Sequence, residues 1–324
     1  MTLTKLTAGL LAATILTAPA FAQDYPERQI TMVVPFAAGG PTDTVARLVA
    51  ERMSADLGQQ IVIENVGGAG GTLGAGNVAK AEPDGYTVLL HHIGMATSET
   101  LYRNLAYETL EAFDYVGLVT EVPMVVTARQ DFEPDDFPAF VDYVKANADS
   151  LTLANAGIGA ASHLCGMLLM QALEVPLVTV PYKGTGPAMT DLLGGQVDIM
   201  CDQTTNTTQQ IKAGTIKAYA VTAPERLELF PDLPTAKESG LDTMEFAIWH
   251  GIYTPKGTPA EVNQRLSQAL QKALADEGIA KAMADLGTAP SPAEDATPEA
   301  LKAKLESEIA RWQPVIEAAG VYAD

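Results

Sequence analysis

Basic residues are scarce in this chain of 324 residues. It carries 20 Lys and Arg against 40 Asp and Glu, which gives a formal net charge of -20 at pH 7. Nucleic-acid binding needs basic surface that displaces counterions from phosphates, and docking on anionic lipid head groups needs the same sign of charge. The composition excludes both classes of partner. The negative field also repels a small anion, but salt screens it beyond roughly 8–10 Å, so local N–H donors can still bind one at contact distance.

Metal and cofactor motifs are also missing. His91 and His92 end an apolar strand, where neighbours are expected to point to opposite faces, and no thiolate pair, His-x-x-x-His or carboxylate ladder accompanies them. The glycine-rich run at 67–76 lacks the Gly-Lys-Ser/Thr of a P-loop and follows the second strand instead of the first. We therefore expect no metal, no cofactor, and a tight connection at this run.

Long apolar runs are confined to the N-terminus. Residues 1–22 have one basic residue, an apolar run from Leu6 to Leu16, and a small-x-small ending, Ala20-Phe21-Ala22. This pattern is typical of a secretory signal peptide. No later stretch approaches the roughly 20 apolar residues of a membrane span. The sequence predicts cleavage near Ala22, export to the periplasm, and no membrane insertion of the mature chain.

The segment from residue 30 to residue 50 predicts a strand, a turn and a helix. A short apolar run ends at Val34, Gly39 and Gly40 allow a sharp turn, and Pro41 suits the first helical position. Such a turn presents unpaired N–H groups at the positive end of a helix, which can bind a carboxylate or phosphate. An ordinary connection within an α/β core is the alternative.

The middle of the chain repeats this plan, which predicts a second lobe. Further strands end near residues 92, 155, 181 and 202, each followed by a turn, and Ser162 is a predicted helix N-cap. Ligands of open α/β sheets bind outside the carboxyl ends of strands. We expect a cleft lined by segments 36–43, 91–94, 155–163, 182–187 and 202–205. The candidate ligand-binding residues there are Phe36, Ala37, Ala38, Gly39, Gly40, Thr42, His92, Gly94, Asn155, Ala156, Gly157, Ala161, Ser162, His163, Tyr182, Lys183, Gly184, Asp202 and Thr204.

Cys165 and Cys201 are the two cysteines of the chain. Export to an oxidising compartment permits a disulfide between them. The alternative is a pair of buried thiols that act as small hydrophobic side chains. The sequence leaves both open.

Seven motifs occur in order from about residue 25 to the C-terminus. They are Pro35-Phe-Ala-Ala-Gly-Gly-Pro-Thr-Asp, Pro83-Asp-Gly-Tyr-Thr, Ser162-His-Leu, Val180-Pro-Tyr-Lys-Gly, Gly194-Gly-Gln-Val-Asp, Phe230-Pro-Asp-Leu-Pro-Thr and Tyr253-Thr-Pro-Lys-Gly-Thr-Pro. With these motifs the chain resembles the Bug family, the extracytoplasmic receptors of tripartite tricarboxylate transporters.

The resemblance implies an α/β, two-lobed type II periplasmic-binding-protein fold (a Venus flytrap) with a central sheet in each lobe. It also implies that the turn at 36–43 binds one carboxylate of a small organic acid, partly through ordered water. Ala160 departs from the Ser or Thr frequent in the family, so Ser162, Thr204 or Thr205 would supply the hydroxyl.

The predicted organisation is a signal peptide (1–22), lobe 1 (23–122 and 225–324) and lobe 2 (123–224). We expect a monomeric receptor that binds a small carboxylate, performs no chemistry and serves membrane transporter subunits. Two alternatives stay open. One is a sensing module for a membrane sensor kinase, and the other is a hydrolase that uses Ser162 with a distant histidine and Asp202.

Overall fold

The computed structural model describes residues 25–323. The predicted signal peptide and its cleavage site lie outside these residues. The chain forms a mixed α/β fold around a curled sheet of ten strands. The strands are β1 (Ile30–Val34), β2 (Ile61–Asn65), β3 (Thr87–His92), β4 (Phe113–Arg129), β5 (Thr152–Asn155), β6 (Val178–Pro181), β7 (Ile199–Gln203), β8 (Ile216–Val221), β9 (Ala247–Pro255) and β10 (Ala289–Pro290).

Helices cover the sheet and alternate with the strands for most of the chain. The helices are α1 (Pro41–Leu57), α2 (Thr72–Ala79), α3 (Gly94–Leu101), α4 (Phe137–Asn147), α5 (Ala161–Leu173), α6 (Thr185–Leu193), α7 (Thr204–Ala213), α8 (Ala260–Leu274), α9 (Glu277–Ala284) and α10 (Pro298–Ala319).

Strand β4 joins two parts of the sheet. Its first part pairs with β9, and its last part, from Met124 to Arg129, pairs with β7 and β8. We call the elements β1–β3, β9, β10, α1–α3 and α8–α10 the first half, and β5–β8 with α4–α7 the second half. The strand order is β2-β1-β3-β9-β4-β7-β5-β6, with β8 and β10 also paired to β4. The predicted lobe boundary at 122/123 falls inside this continuous strand, so the lobe limits stay a prediction.

Local signals place the helix starts that surround the cleft. Pro41 is the first residue of α1, and Gly39 before it has a φ of 78°, a conformation that favours glycine. Helix α5 begins at Ala161 with Ala160 as its N-cap, so Ser162 lies in the first turn and is not the predicted cap. Its hydroxyl instead accepts a hydrogen bond from the N–H of Ala156 at 2.8 Å.

A disulfide between Cys165 and Cys201 ties α5 to β7 in the second half. Both residues are fully buried, and their Cα atoms lie 5.9 Å apart, a separation usual for a disulfide. Because α5 begins at the cleft and Cys201 precedes Asp202, this bond joins two elements that carry candidate site residues.

Candidate functional site

The carboxyl ends of four strands meet at a small cavity between the two halves. Phe36 follows β1, His92 ends β3, Ala156 follows β5 and Gln203 ends β7. The cavity measures about 10 Å³, which is room for about one water molecule. An organic ligand needs more space, so the halves must separate to admit one. The lining residues are Phe36, Pro41, Thr42, His92, Ala156, Ala161, Ser162, Thr185, Asp202 and Gln203.

Some of the candidates from the sequence line this cavity, and others surround it. Lining it are Phe36, Thr42, His92, Ala156, Ala161, Ser162 and Asp202. The candidates outside the lining are Ala37, Ala38, Gly39, Gly40, Gly94, Asn155, Gly157, His163, Tyr182, Lys183, Gly184 and Thr204.

Several of the outlying candidates have contacts that explain their positions. The Tyr182 hydroxyl donates to the Asp191 carboxylate at 2.7 Å, and the Lys183 side chain is exposed. Asn155 accepts the N–H of Gly157 at 2.9 Å. The Tyr182 and Asn155 side chains therefore stabilise turns of the second half.

The turn after β1 differs from the sequence expectation in its backbone donors. The N–H of Ala37 donates to the carbonyl of Lys183 at 2.8 Å, and the N–H of Gly39 donates to the Asp43 carboxylate at 3.0 Å. Neither N–H is free for a ligand in this conformation. The first turn of α1 still supplies donors, because initial N–H groups of a helix have no intrahelical acceptor, and Thr42 of that turn lines the cavity.

Asp43 holds this turn in place. Its carboxylate also accepts hydrogen bonds from Arg47 at 2.9 and 3.0 Å and from Asn65 at 3.0 Å. Burial opposes its ionisation, but these hydrogen bonds outweigh burial and lower the pKa of Asp43. The structural role expected from its place in the first turn of α1 therefore includes ordering the Gly39 backbone.

Three buried histidines cluster on the first-half side of the cavity, where His92 lines it and His91 and His250 do not. The rings of His91 and His92 lie 5.0 Å apart and those of His92 and His250 5.8 Å apart, and His92 stacks on Phe36 at 4.6 Å. The two neighbours do not diverge as strand alternation predicts, because β3 ends at His92 and the backbone turns into α3. Burial lowers the pKa of His91 and of His250 to about 3, so these rings are neutral.

Asp202 is the acidic group of the cavity. It is 1% exposed and accepts a hydrogen bond from the Asn206 side chain at 2.6 Å. Burial raises the pKa of Asp202 to about 6, against the opposing effect of Asn206, the Gln203 backbone and the nearby Thr185 hydroxyl. The group is thus held close to its protonation midpoint in mildly acidic solution.

Thr185 and Gln203 line the cavity but were not among the sequence candidates. Thr185 Oγ1 and Gln203 Oε1 are buried, and neither makes a hydrogen bond of acceptable geometry within residues 25–323. Unpaired buried polar atoms are costly in the absence of a partner. The sequence offered one signal for each residue. Thr185 follows Gly184 at the start of a helix, and Gln203 directly follows Asp202.

The two halves touch through backbone on both sides of the cavity. A Cβ on Gly184 would lie 2.9 Å from Ala37 N, and one on Gly157 would lie 3.0 Å from Gly70 N. The Tyr102 hydroxyl donates to the carbonyl of Ile158 at 2.8 Å. The glycine-rich run at 67–71 is therefore more than a tight connection, because it allows close contact with the second half.

A cavity between two α/β halves, at the carboxyl ends of strands from both, is the arrangement expected of a solute-binding receptor. The description of the family model that matches residues 45–321 is "Tripartite tricarboxylate transporter family receptor". A relative from Agrobacterium vitis, described as a UPF0065 protein in the TAR-I ttuE-ttuC' intergenic region, is 54% identical over 314 residues, 97% of this chain and 91% of the relative. The chain belongs to the tripartite tricarboxylate transporter receptor family.

Solved structures agree with this family. The periplasmic binding protein BugD is 54% identical, with a TM-score of 0.91 over 93% of this chain and 100% of that one. MatC from Rhodopseudomonas palustris, solved with bound malate, is 42% identical, with a TM-score of 0.87 over 90% of this chain and 100% of that one. The fold class expected from the sequence, that of a periplasmic binding protein, is confirmed. Within residues 25–323, no helix is both long and apolar enough to cross a membrane.

Proposed function

We propose that this protein captures a small organic carboxylate between its two halves in the periplasm and presents it to membrane transporter subunits. The observation that carries the proposal is the small cavity at the strand ends, where the buried amide oxygen of Gln203 has no hydrogen-bond partner within the described residues. The malate bound to the related MatC supports the ligand class. Export follows from the predicted signal peptide, and we propose that the mature receptor is a monomer.

The polar groups of the cavity suit an anion held by neutral donors. Thr42, Ser162 and Thr185 bring hydroxyl groups from both halves, and no Lys or Arg is among the lining residues. Hydrogen bonds to a charged acceptor are stronger than neutral ones, even without a formal ion pair. Asp202 lies on the second half. In its ionised form, this carboxylate would accept a hydrogen bond from a donor group of the ligand.

In this proposal the two halves close on the ligand, and loops around the cavity form the contacts between them. The loop 36–40 meets the loop 183–186, and the glycine-rich run meets the turn at 157–159. A ligand that contacts both halves stabilises the closed form over the open one, because those contacts exist only after closure. The closed surface is then the signal that a membrane partner binds.

The geometry does not support a hydrolase at Ser162. Its hydroxyl oxygen accepts the N–H of Ala156, and among residues 25–323 no histidine nitrogen lies within hydrogen-bond distance of it. His163 instead accepts the N–H of Gly159 through Nδ1 at 3.3 Å. A serine nucleophile needs a base within reach, so we propose that the protein is a receptor and not an enzyme.

Thermal unfolding in the presence of candidate ligands tests this function. The panel contains dicarboxylates, tricarboxylates, aromatic acids and acidic amino acids, with phosphate and neutral amino acids as controls. A ligand at 100 times its dissociation constant should add about 2.7 kcal/mol to the free energy of unfolding. A flat response across the panel, with protein shown to be free of co-purified ligand, would contradict the proposal.

A further inference from the structure

We infer that His92 binds an oxygen atom of the ligand as a neutral hydrogen-bond donor, through Nε2–H, in a tautomer that the N–H of Gly94 sets. The inference rests on the proposed function and deepens it, because it names the polarity of one wall of the cavity. It assigns an uncharged donor group, the His92 ring, to the recognition of an acceptor oxygen of the ligand.

The tautomer follows from the start of α3. Gly94 is the first residue of that helix, and its N–H has no intrahelical acceptor. It donates to Nδ1 of His92 at 3.0 Å. A ring nitrogen that accepts a hydrogen bond carries no proton, so the proton of the neutral imidazole lies on Nε2.

Packing holds the ring in this orientation. His92 is 2% exposed and is stacked on Phe36 at 4.6 Å, with an angle of 27° between the ring planes. Turning the ring over would place a carbon against the Gly94 N–H and leave that buried donor unpaired, which is costly. The ring that lines the cavity is therefore pre-oriented before any ligand enters.

The ring also stays neutral in this environment. Burial lowers the pKa of His92 well below its usual value, and His91 and His250 lower it further. His91 accepts the N–H of His92 through its own Nδ1 at 2.8 Å. Asp202 lines the opposite wall, where a carboxylate would favour the charged ring, but burial is the largest effect on the pKa of His92 and keeps the ring neutral.

Opposite walls of the cavity therefore differ in polarity. His92 lines the cavity from the first half and carries its ring proton on Nε2, and Asp202 and the unpaired amide oxygen of Gln203 line it from the second half. A ligand oxygen that accepts hydrogen bonds is favoured at the His92 wall. A ligand that places a methyl group there would leave Nε2–H without a partner.

Substitution by asparagine separates the donor from its support. In His92→Asn, the side-chain oxygen can replace Nδ1 as the acceptor for Gly94. The shorter amide then places its nitrogen where Cδ2 was, so no donor stands at the position of Nε2. The matched control is His91→Asn, in which the oxygen can accept the His92 N–H and no cavity-lining group is lost. With the carboxylate that gives the largest shift in the panel, we expect calorimetry to show affinity about 10- to 100-fold weaker for His92→Asn and within about threefold of wild type for His91→Asn.

Nuclear magnetic resonance tests the tautomer without any ligand. Long-range ¹H–¹⁵N correlations of ¹⁵N-histidine-labelled protein, with His92 assigned by the His92→Asn spectrum, should show a protonated Nε2 and an unprotonated Nδ1. Addition of the same panel carboxylate should shift the Nε2 resonance.

Three outcomes would overturn the inference: a protonated Nδ1 at His92, unchanged affinity in His92→Asn, or an equal loss in both asparagine variants, which would assign the effect to packing. If no compound of the panel stabilises the protein against thermal unfolding, the proposed function itself is contradicted. Binding that survives His92→Asn contradicts only the role of His92.

Discussion

Single glycines decide how closely the two halves approach each other. Gly184 has a φ of 148°, and a Cβ there would lie 2.9 Å from Ala37 N of the first half. The contact involves backbone, which cannot move aside like the end of a flexible side chain. At this position glycine is needed both for its conformation and for the space between the halves.

Replacement of Gly184 by alanine should therefore weaken ligand binding. The matched control is Gly195→Ala, where φ is 69° and nothing lies within 4 Å of the new Cβ. Both variants should lose about 1–3 kcal/mol of unfolding free energy from backbone strain, measured by urea titration. Calorimetry should show about tenfold weaker binding of the panel carboxylate for Gly184→Ala alone, because only that substitution obstructs closure. Equal affinities in the two variants would contradict this role.

Pairs of neighbouring elements hold the cavity walls in register. Helix α5 carries Ser162 to the cavity and β7 carries Asp202 there, and the Cys165–Cys201 disulfide joins the two elements. In the first half, Asp43 of α1 receives hydrogen bonds from Gly39 before the helix and from Asn65 at the end of β2. The second-half wall is thus supported by a bond between α5 and β7, which are distant in the sequence. The first-half wall is supported by the contacts of Asp43 with the preceding turn and with the end of β2.

Removal of the disulfide should destabilise the protein without unfolding it. The two cysteines are 36 residues apart, and closing a loop of that length contributes about 4 kcal/mol in the chain-entropy model. Urea unfolding of the Cys165→Ala/Cys201→Ala double variant should show a loss of this size, and wild type with reductant should behave alike. Thiol labelling of the denatured, unreduced protein should find no reactive cysteine. Two labelled thiols, or equal stability, would contradict the bond.

Across the entire chain, buried ionisable groups make stability depend on pH. Burial lowers the pKa of His163 to about 4 and that of His91 and His250 to about 3, and it lowers the pKa of His92 well below its usual value. Burial raises the pKa of Asp202 to about 6. An unfolded chain binds protons at its histidines as pH falls below about 6.5, and the folded chain does not. The folded Asp202 binds its proton before the unfolded one, which stabilises the fold in acid.

Stability should therefore fall on acidification from pH 7.5 to pH 5. Each histidine contributes a loss of up to about 1.4 kcal/mol per pH unit below its unfolded pKa, and Asp202 offsets about 1.4 kcal/mol of this loss by pH 5. Urea titrations at pH 7.5, 6 and 5 measure the slope. In His163→Asn, an oxygen can still accept the Gly159 N–H, and about 2 kcal/mol of the loss at pH 5 should disappear. A stability that rises between pH 7.5 and pH 5 would contradict the assignment of neutral buried histidines.

Local patterns were enough to predict much of the site. The apolar run of β1, the glycines at 39 and 40 and Pro41 predict a strand, a turn and a helix, and the structure has them there. The positions of Phe36, His92 and Asp202 follow from the rule that ligands bind at the carboxyl ends of strands. These inferences depend on interactions between residues close in sequence, and so they could be made from sequence alone.

Contacts between distant residues account for what was missed. The Ala37 N–H binds the Lys183 carbonyl, and His250 stands beside Thr42 with 3.4 Å between Nε2 and Oγ1. The unpaired oxygens of Thr185 and Gln203 also become visible only when neighbouring strands are assembled. No periodicity or turn rule reports which distant group satisfies a given N–H or hydroxyl.

The sequence by itself determines the charge balance, the order of strands and turns, and the motifs of a receptor family. Each of these depends only on residue type and short spacing. The size of the cavity, the partners of its backbone donors and the tautomer of His92 arise only when the carboxyl ends of β1, β3, β5 and β7 come together in the folded chain. Hydrogen bonds and close packing depend on distances of about 3 Å. Such distances are set by the folded arrangement and not by spacing along the sequence.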